Sequence, residues 1–114
     1  MPKLVGTSTQ AGRPEVVEEI RRLATAQTAA GLAAAVQALR DRPDATRGLA
    51  HIAVPTLVVV GREDALTPPA VAQALAGSIP GSRVALIDGA GHLSNLECPE
   101  PFNAAVRAFL QELD

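Results

Sequence analysis

The sequence predicts an α/β fold: two parallel strands with flanking helices, preceded by an N-terminal helical hairpin. Three observations carry that expectation. Thr56-Leu57-Val58-Val59-Val60 is a short, unbroken, β-branched run closed by Gly61. A continuous apolar run, rather than an alternating one, fits a strand covered on both faces, as in a parallel sheet. A second run, Arg83 to Ile87, follows one amphipathic stretch and precedes another, and strand–helix–strand–helix is the repeating unit of a parallel sheet with right-handed crossovers. Ahead of Pro55 the apolar period is that of helices.

The first helix opens at Pro14, which suits a first helical position because no amide hydrogen is needed there. Val16, Val17, Ile20, Leu23 and Ala24 then fall on one face, with Glu15, Glu18, Glu19, Arg21 and Arg22 largely on the other. The second helix runs from about Ala29 to Arg40, with Leu32, Ala35, Val36 and Leu39 on one stripe. Arg40-Asp41-Arg42-Pro43 ends it, since a proline disfavours helix in the residue before it. After the first strand comes a polar turn, Arg62 to Pro69, then a third helix with Val71, Ala74, Leu75 and Ile79 inward. Pro80-Gly81 breaks that helix. Beyond the second strand, Asp88-Gly89-Ala90-Gly91 reads as a turn. The last helix, from about Pro99, carries Phe102, Ala105, Val106, Phe109, Leu110 and Leu113 on one face. The division therefore falls near Pro55, with residues 1–54 helical and 55–114 βαβα. A run such as Leu57 to Val60 asks for neighbours on both edges, and two strands cannot supply them: the sequence reads as part of a larger sheet.

Composition narrows the function. At 114 residues the chain is one domain at most. It is 47% hydrophobic and alanine-rich, and its two aromatics are Phe102 and Phe109, so the core must be Leu, Val and Ile packed through short spacers. A net charge of −2 with no Trp or Tyr gives neither the basic patch nor the stacking rings of a nucleic-acid binder. No stretch approaches the roughly 18 consecutive apolar residues of a membrane span, and Met1 to Gly6 lacks the pattern of a signal peptide. Cys98, the single cysteine, forms no internal disulfide. A cytoplasmic protein with no nucleic-acid or membrane partner is the expectation.

Chemistry in open α/β sheets sits in loops after the carboxyl ends of the strands. Two such loops carry suitable groups: Gly61-Arg62-Glu63-Asp64 after the first strand and Gly91-His92 after the second. If the strands are parallel neighbours, Asp64 and His92 emerge on one edge of the sheet and can meet. An aspartate bonded to one imidazole nitrogen fixes the tautomer and supports positive charge on the ring, leaving the other nitrogen to take a proton from a nucleophile. The plainer reading makes Asp64 a turn former and His92 a structural hydrogen-bonder. Glu63 and Glu97 read as solvated or capping groups, Asp88 as a turn residue, and Leu66 and Leu93 as candidate apolar lining.

Three stretches, VPTLVVVGREDALTPP, IPGSRVALIDGAGHLSNLE and PEPFNAAVRAFL, resemble the C-terminal end of α/β-hydrolase-fold enzymes, most nearly the enol-lactone hydrolase and esterase-like branch. The resemblance implies a partial α/β-hydrolase fold in which Asp64 is the acid and His92 the base of a Ser-His-Asp triad, residues 1–54 end a cap over the site, and no cofactor is used. It also implies hydrolysis of a carboxylic ester or lactone. The family's nucleophile stands on a Gly-x-Ser-x-Gly elbow with backbone amides as oxyanion hole, and this chain has no such elbow. Ser8 follows Gly6, but position 10 is Gln10 and no convincing strand precedes it; Ser78 and Ser94 are out of place, and Cys98 reads as an inert thiol. The chain alone is therefore expected to be inactive, with a partner that is an N-terminal hydrolase half or a second copy. A non-catalytic binding or oligomerisation module is the alternative. A metal or phosphate site at the glycine-rich turns is disfavoured, because Asp88 to Gly91 lacks the Lys and Ser/Thr of a phosphate loop and one His with scattered carboxylates offers too few ligands.

Overall fold

The computed structural model describes residues 2–113; residues 1 and 114, the outer limits of the two segments above, lie outside it. Helices α1 (Thr7–Gly12), α2 (Pro14–Thr25) and α3 (Ala29–Asp41) lead through a 3-10 turn (Thr46–His51) into strand β1 (Leu57–Gly61). Helix α4 (Pro69–Gly77), strand β2 (Arg83–Ile87), the short α5 (Ser94–Glu97) and α6 (Pro99–Gln111) complete the chain.

β1 and β2 pair in parallel, Leu57 opposite Arg83 and Gly61 opposite Ile87, and α4 is their crossover. Both α4 and α6 lie against the strands. Because strand side chains alternate, Val59 and Ile87 share a face. They pack with Ala90, Cys98 and Ala105 of α6 in the core.

Both expected helices form, but they do not pack along each other as the expected hairpin. Pro14 occupies the first turn of α2 and Thr28 caps α3, its hydroxyl accepting from the Gly31 amide at 3.0 Å. The expected burial of their stripes does not occur. Ile20 is buried, but Leu32, Val36 and Leu39 are 47, 67 and 63% exposed. The Cα radius of gyration, 15.7 Å, exceeds the ~13 Å typical of a compact chain of about 100 residues, as it must when α3 stands away from the core. The α4 face is also rotated from expectation. Ala72, Ala76 and Ile79 are buried, whereas Val71, Ala74 and Leu75 are exposed, the two larger ones bordering a groove along β1.

α1 was not expected, since nothing local in Gly6 to Gln10 demands a helix. Its first turn is capped from far along the chain: the Glu63 carboxylate accepts from the Ser8 amide and the Thr7 hydroxyl, both at 2.7 Å. Orphan amides at a helix start need such acceptors, and here tertiary structure supplies one. Among the described residues the sheet has two strands, and no helix is long and apolar enough to cross a membrane.

Two glycines have opposite roles. A Cβ on Gly61 would run into the carbonyls of Ala90 and Gly91, whereas one on Gly77 would meet nothing within 4 Å. Gly61→Ala is expected to cost about 2–3 kcal/mol through forced backbone movement, and Gly77→Ala to add about 0.5 kcal/mol by restricting the unfolded chain. Denaturant unfolding of the two variants checks both signs.

Candidate active site

The loops that leave β1 and β2 are tied together before any side chain is considered. The Arg62 amide donates to the Ile87 carbonyl at 2.9 Å and the Glu63 amide to the Ala90 carbonyl at 2.8 Å. Gly89, with φ +72°, turns the second loop back, a conformation that glycine adopts without steric cost. The parallel register and these bonds bring Asp64 and His92 to the same end of the sheet.

They meet. His92 Nδ1 lies 3.0 Å from Asp64 Oδ2 and 3.3 Å from the Thr67 hydroxyl. The Asp64 side chain is 4% exposed and that of His92 36%. Asp64 Oδ1 accepts from the Leu66 and Thr67 amides, each at 2.9 Å, and Oδ2 also accepts from the Thr67 hydroxyl at 3.0 Å. An ionised carboxylate has no proton to give, so Nδ1 carries the proton and the neutral ring presents its Nε2 lone pair. Nε2 has no hydrogen-bond partner among the described residues.

Burial raises the pKa of Asp64 and is the largest single influence on it. The Thr67 amide, the His92 ring and the Thr67 hydroxyl together overcome it, and the carboxyl ends below its ordinary range. The sequence marks Thr67 only as part of the polar turn from Arg62 to Pro69. A hydroxyl residue three positions after an aspartate is nonetheless a recognisable pattern for side-chain to backbone bonding.

A groove of about 240 Å³ runs beside the pair, lined by Val58 to Gly61 along the strand, Val71, Ala72 and Leu75 of α4, and Asp64, Thr67, His92 and Ser94. It lies along the edge of β1 that β2 does not occupy. Ligand sites usually measure roughly 300–1,000 Å³, so this groove is smaller than most. Leu66 and Leu93, expected as apolar lining, are not part of it; Val58, Val60, Val71 and Leu75 fill that role because the pleat and α4 face the groove.

Ser8, Ser78 and Ser94 are placed otherwise than a nucleophile requires. Ser8 sits on α1, its amide bonded to Glu63, and is not among the groove residues. Ser78 ends α4 with its hydroxyl on the Ala74 carbonyl. Ser94 is buried in the groove wall, two residues after His92 on a four-residue helix rather than on a strand–helix elbow. Cys98 is buried against Arg13, with Sγ 3.4 Å from Nη1.

Among the acids, Asp88 is an exposed turn residue paired with Arg62, and Glu63 caps α1. Glu97 departs from expectation: it is fully buried, not solvated, and accepts four hydrogen bonds. Among the described residues no group of three or more His, Cys, Asp or Glu side chains is placed to hold a metal ion.

A family model described as alpha/beta hydrolase family matches residues 5–105. The chain belongs to this family. Its fold neighbours within the family include a thermophilic esterase from Thermogutta terrifontis, 40% identical with a TM-score of 0.94 over 97% of this chain and 41% of that one. The 3-oxoadipate enol-lactonase 2 of Acinetobacter baylyi is 34% identical over 101 residues, 89% of this chain and 37% of the relative. Polyketide synthase ThaQ of Burkholderia thailandensis is 48% identical over 71 residues, 62% of this chain and 3% of that protein. The chain thus spans less than half the length of each of these relatives, and its two parallel strands with flanking helices are a partial form of the family's fold.

The depressed pKa of Asp64 has a consequence for stability. A carboxyl whose folded pKa lies below its unfolded value stabilises the fold above the unfolded value, and that contribution is lost as pH falls through the folded one. Acidification from pH 7 to 3 is therefore expected to destabilise the chain. Asp64→Asn should cost about 1–3 kcal/mol at pH 7 and flatten part of the acid limb, the rest belonging to Glu63 and the other carboxyls held low by hydrogen bonds. Urea denaturation across that pH range measures both.

Proposed function

We propose that this chain supplies the general acid–base half of a serine-type hydrolase acting on a carboxylic ester or lactone. The observation that carries the reading is the 3.0 Å contact of His92 Nδ1 with a buried, multiply bonded Asp64, with Nε2 left for a reacting hydroxyl. In this reading His92 Nε2 takes the proton of a serine as that oxygen attacks the acyl carbon, and later returns it to the leaving alcohol. Asp64 keeps the ring oriented and stabilises the imidazolium that forms. Thr67 holds Asp64 in place.

The nucleophile and its oxyanion hole come from outside these 114 residues. Two features support this: the chain has no Gly-x-Ser-x-Gly elbow, and the groove beside His92 runs along an unpaired strand edge. A further parallel strand on the free edge of β1 would complete the sheet and close the groove. Helices α2 and α3 are then a cap, and the exposed Leu32, Val36 and Leu39 of α3 offer apolar surface toward an acyl group or toward the rest of the protein.

The same open edge and exposed stripe favour a second reading, a non-catalytic module that self-associates, since unpaired strands and large apolar patches promote association. Light scattering distinguishes it by a stable dimer.

Purified chain is expected to hydrolyse p-nitrophenyl acetate no faster than buffer. Joined to, or mixed with, an N-terminal hydrolase half bearing the elbow, it should form an active esterase or lactonase. Asp64→Asn should lower its rate roughly 10⁴-fold, and His92→Ala should abolish it. A formed complex without activity, or turnover by the lone chain that disappears in His92→Ala, would refute the assignment.

A further inference from the structure

Glu97 is 0% exposed, and each bond it accepts comes from a defined place. Oε1 accepts from the Gly6 amide at 2.7 Å, the Thr9 hydroxyl at 2.8 Å and the Gly91 amide at 3.0 Å. Oε2 accepts from the Leu93 amide at 3.1 Å. Gly91 and Leu93 are the residues on either side of His92. The His92 amide itself donates to the Leu4 carbonyl at 3.1 Å. Three successive amides are therefore fixed, the outer two by one carboxylate.

A glutamate in this position could serve only to cap α5, and then the Leu93 bond would suffice. Three of its four donors come instead from outside that helix. Two belong to the segment around α1, which Arg13 reinforces by donating to the Glu97 carbonyl, the Thr9 hydroxyl and the Gly89 carbonyl. The arrangement joins the start of the chain to the His92 loop.

We infer that Glu97 is a positioning residue for His92: by holding the Gly91 and Leu93 amides on either side of it, Glu97 sets the direction in which the imidazole leaves the backbone and so keeps Nδ1 on Asp64. This rests on the reading of His92 and Asp64 as base and acid. Glu97 touches no reacting atom, and its effect passes through the loop. Pinning two flanking amides restricts the backbone rotation at His92 that would swing the ring away, in the way outer hydrogen bonds orient functional histidines elsewhere.

The test uses the 114-residue chain labelled with nitrogen-15. In the unmodified protein a downfield His92 Nδ1–H resonance is expected, slow to exchange and lost in Asp64→Asn. Glu97→Gln keeps the side-chain shape but turns one acceptor into an NH2 that opposes an amide donor. It should speed exchange of the His92 Nδ1–H roughly tenfold or more, with Gly91 and Leu93 amides following, while Val60 and Ala85, whose amides face the partner strand, keep their protection. A folded Glu97→Gln chain with unchanged Nδ1–H exchange overturns the inference and leaves the acid–base reading standing. An unmodified chain with protected Gly91 and Leu93 amides but no Asp64-dependent Nδ1–H overturns that reading, and the inference with it. If Glu97→Gln does not fold, exchange in the unmodified chain decides: Gly91 and Leu93 amides protected about tenfold or more beyond exposed-loop amides support the inference, and exposed-loop rates refute it.

Discussion

The close approach of two loops beyond paired parallel strands is the constraint on which the rest of this structure depends. Gly61 sits where any side chain would collide with the Ala90 and Gly91 carbonyls, and the Arg62 and Glu63 amides bond across to Ile87 and Ala90. Parallel pairing alone would bring the two strand ends to the same edge. The crossing of the loops brings them within reach of one hydrogen bond, and a residue larger than glycine would hold them apart. The Asp64–His92 contact is downstream of a missing Cβ.

Two carboxylates are buried around that contact, and they show how a small core accommodates charge. Taking a carboxylate out of water costs several kcal/mol unless donors replace the lost hydration. Asp64 receives four: two amides, a hydroxyl and a ring nitrogen. Glu97 also receives four, three of them backbone amides. The difference lies in what stays open. Asp64 shares one oxygen with a histidine that remains partly exposed at a groove, whereas every partner of Glu97 is part of the scaffold. Two acids of similar burial thus differ in what they govern, the first a ring and the second the backbone that carries the ring.

The surfaces left bare are as orderly as those that are covered. The α4 residues Val71 and Leu75 and the stripe of α3 are apolar and exposed, the unpaired edge of β1 is half-buried beside the groove, and the alpha/beta hydrolase relatives are more than twice as long as this chain. The helices form regardless, because proline and threonine set their starts and their amphipathic period is intrinsic. Burial is the separate step, and it needs a second surface.

Much of the fold was legible from residue order, for reasons that are local. A β-branched run closed by glycine, a proline at a first helical turn and apolar residues at the 3.6 period all act through near neighbours, and β1, β2, α2, α3, α4 and α6 lie where those patterns put them. Asp64 and His92 were legible for a topological reason, since residues after adjacent parallel strands share an edge. Three things were decided only by tertiary structure. The α1 helix depends on Glu63, some 55 residues away in sequence; Thr67 became a partner of both site residues; and Glu97 was drawn inside by donors as remote as Gly6, 91 residues distant. A glutamate in a sequence reads as solvated because water is its default partner, and only a fold that gathers four donors around one carboxylate can replace that water.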